Sequence, residues 1–497
     1  MRNLIYNAVQ CLLIGAFMIG LSSCLGNLDP VINDKIMPEN FFKSEDDARA
    51  AVTAIYNPFG PNWDQIYCAQ VESPFNISNL TTDDMGLQRN DIEAVERFLW
   101  TSTTGAVNKF YSQFIKHVSR ATLLMDDLKR TPMNEKTKGE FIAEVQCARG
   151  LYMFWLYDFY GTAGVVLDPE ILRNPEQEVF LERLPKDEFV ALIEKDLKEA
   201  AAALPVTYDT KDWGRFTKGA AYAVLAKLYM QEKRWQEAEA ISREIQKFGY
   251  ELQADYSSIF AVENKRNKEI IWAIPCLAAG VGNLWMTEAV PPGYPLQNTR
   301  TQRWNVYNTP WRFYGKYEKG DKRLERLIGE FYYTPAGAVK PVLADRNTFD
   351  LFERGCFPMK YPEDPAQTGT MSSNDLVVFR YADVLLELAE IINEQSGPTA
   401  EAVSYVEQIR ARAGLPNSIP ASATASKDAF RDYLLDESGR ELFCEGHRRR
   451  NLIRHGKFIS TAHEDGYTTA KDHMVLFPLP QNILDESKGK IKQNPGY

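Results

Sequence analysis

The sequence predicts a mainly helical fold, built from helix pairs of the tetratricopeptide type and accompanied by a long irregular region with a few short strands. Two observations predict it. Apolar residues recur every three or four positions in paired segments, which is the pattern of amphipathic helices. Residues 275–317, in contrast, are rich in proline and aromatic residues and show neither helical nor alternating order.

Residues 379–415 show the helix-pair pattern most clearly. One apolar face is formed by residues four, three and four positions apart, namely Tyr381, Leu385, Leu388 and Ile392. Thr399 follows a Gly-Pro break and is placed to cap a second helix through its hydroxyl group. Two amphipathic helices cannot bury their apolar faces alone, so further pairs should stack beside them.

Other parts of the chain supply these neighbouring helices. The same spacing of apolar residues occurs at 107–128, 136–159 and 217–250, and 186–204 predicts one more helix. Short strands are expected near 269–274, 329–333 and 356–360.

The first residues have the pattern of an export signal. Arg2 gives a basic start, and the apolar run that follows at 8–21 is short for a membrane span. Small residues stand directly before Cys24, as in a bacterial lipoprotein processing site. We therefore predict a signal peptide over 1–23, a lipidated Cys24 and a tether over 24–38. An ordinary secretory signal is the alternative.

The charge balance argues against nucleic acid as a partner. The 497 residues carry a net charge of −10, and an acidic surface repels phosphate groups. Beyond Cys11 and Cys24, five widely spaced cysteines remain, and no C-x-x-C motif occurs. This pattern supports neither a disulfide framework nor a zinc site.

The sequence contains no recognisable catalytic motif. Its five histidines form no metal-binding pattern, and the common nucleophile and phosphate-loop motifs do not occur. Glu441 and Glu445 lie four positions apart on a predicted helix, a spacing more typical of exposed ion pairs than of an acid/base pair. The arginines at 448–450 are also interpreted as partners of nearby acidic residues. We therefore predict no catalytic residue, no metal and no cofactor.

The irregular region combines aromatic side chains with amide and guanidinium groups. A flat aromatic ring can cover the C–H face of a sugar, while amide and guanidinium groups bond its hydroxyls. The candidate binding residues are Trp285, Tyr294, Trp304, Tyr307, Asn298, Arg300, Gln302 and Arg303, together with Trp63 and Tyr67 from the earlier irregular stretch. Two alternatives stay open: the aromatics form a protein–protein interface, or they pack back onto the helices.

Short motifs spread over nearly the whole chain are specific in their number and order. After Cys24 they are NFFKSEDDA at 40–48, ARGLY at 148–152, GRFT at 214–217, DKR at 321–323, RYAD at 380–383, RELFCEGHR at 440–448, LPQ at 479–481 and QNPGY at 493–497. Together they resemble the SusD/RagB family, the outer-membrane nutrient-binding lipoproteins of Bacteroidetes-type bacteria.

The resemblance implies a SusD-like fold in which the helix pairs form a scaffold packed against a loop-rich half that carries the ligand site. It also implies a partner, a TonB-dependent transporter of the SusC type, which such proteins cover as a lid. We expect a single domain over 39–497. Its scaffold should occupy about 107–250 and 379–458, and its irregular ligand-binding half about 57–106 and 275–375.

We therefore expect a lipid-anchored protein of the outer membrane, exposed at the cell surface, that binds oligosaccharides and delivers them to the transporter without altering them. Binding of peptides or another nutrient on the same scaffold is the first alternative. A glycoside hydrolase is the second, and it requires two carboxylates roughly 5–10 Å apart across a cleft.

Overall fold

The computed structural model describes residues 41–62, 65–70, 72–88, 93–174, 176 and 182–497. By its internal contacts the chain divides into residues 1–43 and 44–497, and the second unit holds the helices and strands described below. The predicted signal peptide, the lipidation site Cys24 and the tether lie outside the described residues, as does Trp63.

The described part of the chain is mainly helical, as predicted. Its helices in chain order are α1 (Glu45–Ala54), α2 (Pro74–Leu80), α3 (Glu93–Glu96), α4 (Gly105–Arg130), α5 (Glu135–Tyr160), α6 (Pro169–Arg173), α7 (Lys186–Ala203), α8 (Lys218–Gln231), α9 (Trp235–Gln246), α10 (Trp285–Ala289), α11 (Trp311–Tyr314), α12 (Tyr381–Ser396), α13 (Ala400–Arg412), α14 (Lys427–Glu441), α15 (Arg448–Arg454), α16 (Phe458–Glu464) and α17 (Gln481–Glu486). Among these helices, none is both long enough and apolar enough to cross a bilayer.

The predicted scaffold is present as a stack in which each helix packs against the next. The order of packing is α4, α5, α7, α8, α9 and α12, and both α13 and α14 pack against α12. The predicted cap at Thr399 is confirmed, and a second cap is found at the start of α1. The Thr399 side chain accepts a hydrogen bond from the amide of Ala402 at 3.2 Å, and Ser44 forms a capping box with Asp47.

A buried ion pair fastens the first three helices of the stack. Arg149 of α5 donates from Nε and Nη2 to the two carboxylate oxygens of Asp196 on α7, both at 2.7 Å. Its Nη1 also donates to the hydroxyl of Thr122 on α4 at 2.9 Å. Because the contact is bidentate, it fixes the relative rotation of the helices as well as their distance.

The strands are short and belong mainly to the irregular half. They are β1 (Gly86–Leu87), β2 (Ile270–Ile274), β3 (Tyr307–Pro310), β4 (Leu327–Ile328), β5 (Phe331–Tyr333), β6 (Val342–Ala344), β7 (Gly355–Pro358) and β8 (Leu376–Arg380). One antiparallel sheet has the order β1-β3-β7-β4, and the other strands form the antiparallel pairs β2-β8 and β5-β6. The predicted strands near 269–274, 329–333 and 356–360 are confirmed as β2, β5 and β7.

One hydrophobic core connects the scaffold with the irregular half. The indole of Trp272 on β2 lies 4.6 Å from the ring of Phe216, 5.8 Å from Phe59 and 6.0 Å from Phe379, measured between ring centroids. Arg380 ends β8 and also precedes the first residue of α12. The loop-rich half is therefore joined to the scaffold by a strand that runs directly into a helix.

Candidate functional site

Two of the predicted binding aromatics are buried in the core, which corrects the prediction that they face a ligand. Trp285 on α10 is 0% exposed, and its Nε1 donates to the carbonyl of Pro358 at 2.7 Å. Tyr307 on β3 is also 0% exposed. Its hydroxyl donates to the carbonyl of Ala69 at 2.5 Å and accepts from Nδ2 of Asn76 at 2.9 Å. Each ring thus buries its apolar faces and satisfies its polar atom inside the protein.

Tyr67 requires the same correction, because it is buried among other aromatic rings. Its ring centroid lies 5.8–6.5 Å from the rings of Trp272, Trp155, Phe75 and Phe59. Burial raises the pKa of its hydroxyl. Tyr67 therefore contributes to the core that joins the two halves of the fold and offers no face to a ligand.

Tyr294 is half-buried and attaches its loop to the β5–β6 hairpin. Its ring packs edge-to-face on Phe331, with 5.2 Å between centroids and 70° between planes. Gly293 directly before it has φ +86°, and a Cβ there would lie 3.2 Å from the Tyr333 ring. Most of the Tyr294 ring is therefore used in packing, and only part of it faces solvent.

Among the predicted aromatics that the structure describes, Trp304 has the clearest exposed face, since 39% of its surface is open to solvent. Its backbone amide donates to the carbonyl of Thr287 at 2.7 Å. Its indole Nε1 donates to Oε1 of Gln302 at 3.3 Å. The backbone hydrogen bond fixes the position of the residue, so a flat apolar face and an amide group are presented side by side.

Trp304 lies on one of two loops, 277–304 and 363–374, which hydrogen bonds fasten together and which we name the paired loops. The backbone amide of Gln302 donates to the carbonyl of Gly369 at 2.9 Å. The backbone amide of Gly369 donates to the carbonyl of Arg300 at 3.1 Å. Asn283 and Ser372 exchange two backbone bonds of 2.9 Å. The paired loops are therefore ordered by backbone contacts although they contain little regular secondary structure.

Two predicted polar residues are used mainly to connect the paired loops. Nδ2 of Asn298 donates to the carbonyls of Asp364 at 2.8 Å and Gln367 at 2.9 Å. Nη2 of Arg300 donates to the carbonyl of Pro365 at 2.9 Å, although Arg300 as a whole is exposed. Arg303 is half-buried, and its Nε has no hydrogen-bond partner in the described part of the chain.

The paired loops also expose two aliphatic side chains that the sequence analysis did not single out. Leu277 is 67% exposed and Val281 is 46% exposed. Gly282 allows the loops to approach, because a Cβ at this position would lie 2.5 Å from Cβ of Met371. Aliphatic residues in a region without periodicity give no sign of which way they face, so the sequence contained no signal for them.

A second group of aromatics was also missed, and it lies at the edge of the scaffold, beside residues 266–273. Four half-buried rings line a cavity of about 350 Å³ that we name the aromatic cleft: Tyr208, Trp213, Phe248 and Tyr250. The sequence contained one indication of this group: two of its rings, Tyr208 and Trp213, stand in the irregular connection between α7 and α8. The other two rings, Phe248 and Tyr250, follow the end of α9, and nothing in the sequence indicated that they lie beside this connection.

Glu441 and Glu445 form ion pairs as predicted, but they are buried and not exposed. Glu441 is 0% exposed and accepts from Arg380 Nη1 at 2.5 Å and from Arg412. Burial alone would raise the pKa of this carboxyl, but Arg412, Arg380 and Arg323 outweigh burial and lower it. An ionised glutamate held by arginines is a poor proton donor, so this pair does not resemble a catalytic acid and base.

The arginines at 448–450 also pair with acidic residues, which confirms their interpretation. Arg448 donates from Nε and Nη2 to Asp83 at 2.7 and 2.9 Å. Arg450 and Arg449 lie 3.3 and 3.5 Å from Oδ2 of Asp158. Over the described ranges, no three side chains of His, Cys, Asp or Glu are grouped closely enough to hold a metal ion.

Two family models match the chain over separate ranges. One is described as the SusD family and matches residues 268–497, and the other is described as "Starch-binding associating with outer membrane" and matches residues 39–230. The chain belongs to the SusD/RagB family. The two matched ranges cover most of the scaffold and the paired loops.

Curated members of the SusD/RagB family are similar over almost their whole length. SusD-like protein P25 of Formosa agariphila is 24% identical, over 98% of this chain and 99% of that protein. The starch-binding protein SusD of Bacteroides thetaiotaomicron is 22% identical, over 85% of each chain.

Solved structures show the same SusD-like fold. A laminarin-binding SusD-like protein superposes with a TM-score of 0.76 at 24% identity, over 92% of this chain and 100% of that chain. Surface glycan-binding protein A of Bacteroides thetaiotaomicron, in complex with laminarihexaose, gives a TM-score of 0.74 at 20% identity, over 91% and 100%. The predicted fold class and family are therefore confirmed.

Proposed function

We propose that this protein binds oligosaccharides at the outer membrane through the paired loops and releases them unaltered. The observation that carries the proposal is the exposed Trp304 face beside the amide of Gln302, held by ordered loops. Relatives whose names or titles mention starch, laminarin or laminarihexaose support a glycan as the ligand. A single stacked ring contributes about 0.5–1.5 kcal/mol, so several contacts must combine for tight binding.

Isothermal titration of the mature chain with laminarihexaose and with maltohexaose tests the proposal. The Trp304→Ala variant should raise Kd about twofold to tenfold, because it removes one stacking face. Tyr332→Ala is the matched control, since Tyr332 is a 64% exposed aromatic outside the paired loops and its loss should leave Kd unchanged. Absence of binding by the wild-type chain to these and other glycans would refute the proposal.

A peptide ligand is the second candidate, and the exposed aliphatic side chains of Leu277 and Val281 favour it. Apolar side chains of a peptide could pack against them, whereas a sugar would leave them largely uncovered. Titration with mixed peptides distinguishes the two candidates. Binding of peptides by a chain that binds no glycan would select this function.

The proposal includes no chemical step on the ligand. The glutamates that the sequence places four apart, Glu441 and Glu445, are both neutralised by buried cations. Chromatography of laminarihexaose and maltohexaose after prolonged incubation with the protein should show the starting oligosaccharides alone. Shorter products that appear with the purified protein would instead indicate a glycosidase.

We also propose the predicted anchoring of the molecule: a signal peptide over 1–23, lipidation at Cys24, a tether over 24–38 and a single domain over 39–497. A family match that begins at residue 39 supports this division. Metabolic labelling with a radioactive fatty acid should mark the wild-type protein and not Cys24→Ala. Protease treatment of intact cells then tests whether the protein faces outward.

Delivery to a TonB-dependent transporter of the SusC type completes the proposal. Family membership supports it, because the SusD/RagB resemblance implies such a partner. A tagged copy of this protein, solubilised in mild detergent, should retain the transporter on an affinity column. Recovery of unrelated outer-membrane proteins in equal amount would contradict a specific complex.

A further inference from the structure

The aromatic cleft is formed where two parts of the scaffold meet residues 266–273, which include most of strand β2. The connection between α7 and α8 contributes Tyr208 and Trp213, the end of α9 contributes Phe248 and Tyr250, and residues 266–273 form the remaining wall. Its volume of about 350 Å³ falls within the range of small-molecule sites, roughly 300–1,000 Å³. It shares no lining residue with the paired loops.

The wall that carries Trp213 is held rigidly. Gly214 has φ +93°, and a Cβ there would lie 2.4 Å from Cγ of Pro275, so the backbone approaches the ring closely. Arg215 donates from Nε to Asp212 at 2.9 Å and from Nη1 to Glu144 at 3.0 Å. A site on a fixed wall loses little conformational entropy when a ligand binds.

Trp213 also lines a second cavity. That cavity has a volume of about 230 Å³ and is lined by Tyr56, Phe59 and Pro275 among others. The indole Nε1 of Trp213 donates to Asp375 at 2.8 Å, which fixes the ring between the two cavities. Trp213 therefore borders both cavities, which also share Gly214 and Trp272 as lining residues.

Several polar groups in the cleft have no partner within the described ranges. The hydroxyl of Tyr208 is shielded from solvent and makes no hydrogen bond. Arg266 and Asp209 are exposed, and their side chains form neither an ion pair nor a hydrogen bond with described residues. The other charged residues of the lining are paired, Arg215 with Asp212 and Lys268 with Glu251.

We propose that the aromatic cleft is a second carbohydrate-binding site, separate from the paired loops. Half-buried rings provide apolar faces for sugar C–H groups, and the exposed side chains of Asp209 and Arg266 remain available for sugar hydroxyls. One unpaired acid and one unpaired base leave no net charge to attract an ion, which favours a neutral ligand. The choice of carbohydrate as the ligand class rests on the proposed function.

Hydrogen–deuterium exchange of the mature chain with laminarihexaose, with maltohexaose and with glucose as a single-ring probe tests this inference. At saturation, a sugar should slow exchange of the amides at 206–214 and 248–250. Asp209→Ala and Arg266→Ala should each raise the Kd for this protection about threefold to tenfold, since each removes hydrogen bonds to the ligand. Neither change disturbs packing, because both remove exposed side chains that form no ion pair or hydrogen bond with described residues.

Trp304→Ala separates this site from the paired loops. If the inference is correct, Trp304→Ala should raise the Kd for protection at the paired loops about twofold to tenfold and leave the Kd for protection at 206–214 unchanged. Protection confined to the paired loops would overturn the second site while the proposed function stands. Protection confined to the cleft would support the second site and overturn the role of the paired loops, and no protection anywhere would overturn both. A peptide mixture that protects the cleft where sugars do not would overturn the ligand class.

Discussion

Arg380 and Glu445 form a buried bidentate ion pair, in which Nε and Nη2 of the arginine donate to the two carboxylate oxygens at 2.8 Å each. Lys360 donates to the same glutamate at 2.6 Å. Arg380 and Lys360 are 0% exposed and Glu445 is 4% exposed. One carboxylate therefore contacts two buried cations, at the junction between strand β8 and the segment that follows helix α14.

Removing this carboxylate should be strongly destabilising. Glu445→Ala leaves Arg380 with fewer anionic partners and Lys360 without its glutamate, so we expect the free energy of unfolding to fall by about 3–5 kcal/mol. Urea denaturation followed by circular dichroism measures this. Glu251→Ala is the control, because its ion pair with Lys268 is largely exposed and should be worth less than about 1 kcal/mol. Similar losses for the two variants would contradict the role of the buried network.

Asp84 should make stability depend on pH. Burial raises the pKa of this carboxyl to about 6 from an ordinary value of 3.8, although the amide of Cys444 and the hydroxyl of Thr82 donate to it and limit the rise. Because the folded state holds the proton more tightly, this contribution to stability is complete below pH 3.8 and is lost as the pH rises through about 6.

Asp84→Asn tests this dependence, since an amide cannot ionise. Relative to the wild type, the variant should gain on the order of 2–3 kcal/mol in unfolding free energy between pH 4 and pH 7. Urea denaturation at several pH values measures the gain. Stability curves of variant and wild type that run parallel over this range would show that Asp84 does not titrate there.

Truncation of Trp285 should lower stability, whereas truncation of Trp304 should weaken ligand binding. Trp285→Ala empties a core site and should cost about 3–5 kcal/mol of unfolding free energy. Trp304→Ala removes an exposed ring and should change unfolding free energy by no more than about 0.5 kcal/mol, while weakening ligand binding. Thermal or urea denaturation with glycan titration measures both quantities. A Trp285→Ala variant that is as stable as the wild type but binds glycan more weakly would show that Trp285 belongs to the ligand site after all.

Gly214 should be intolerant of a side chain for two reasons that can be separated. Its φ of +93° disfavours any Cβ, and a Cβ would also clash with Pro275 at 2.4 Å. Gly249 has φ +81° with no atom within 4 Å of a Cβ, so Gly249→Ala carries only the backbone cost, about 1 kcal/mol. Gly214→Ala should therefore lose clearly more stability than Gly249→Ala in urea denaturation. Equal losses would mean that the Pro275 contact relaxes at no cost.

The sequence by itself determined the paired helices of the scaffold, the cap at Thr399 and the family. Apolar spacing and a capping threonine depend on residues within one or two helical turns, so the pair at 379–415 and the cap at Thr399 could be predicted correctly. The motifs spread over the chain were sufficient for the SusD/RagB resemblance and hence for the fold class.

Tertiary structure alone decided which aromatic rings face solvent. Trp285, Tyr307 and Trp304 lie within one irregular segment and have the same composition around them, yet two are buried and one is exposed. The partners that bury Trp285 and Tyr307 are 73, 231 and 238 residues away along the chain. An irregular segment has no period that marks its inner face, so burial there depends on long-range packing that local spacing does not encode. For the same reason the four rings of the aromatic cleft could be recognised as a group only after the fold brought them together.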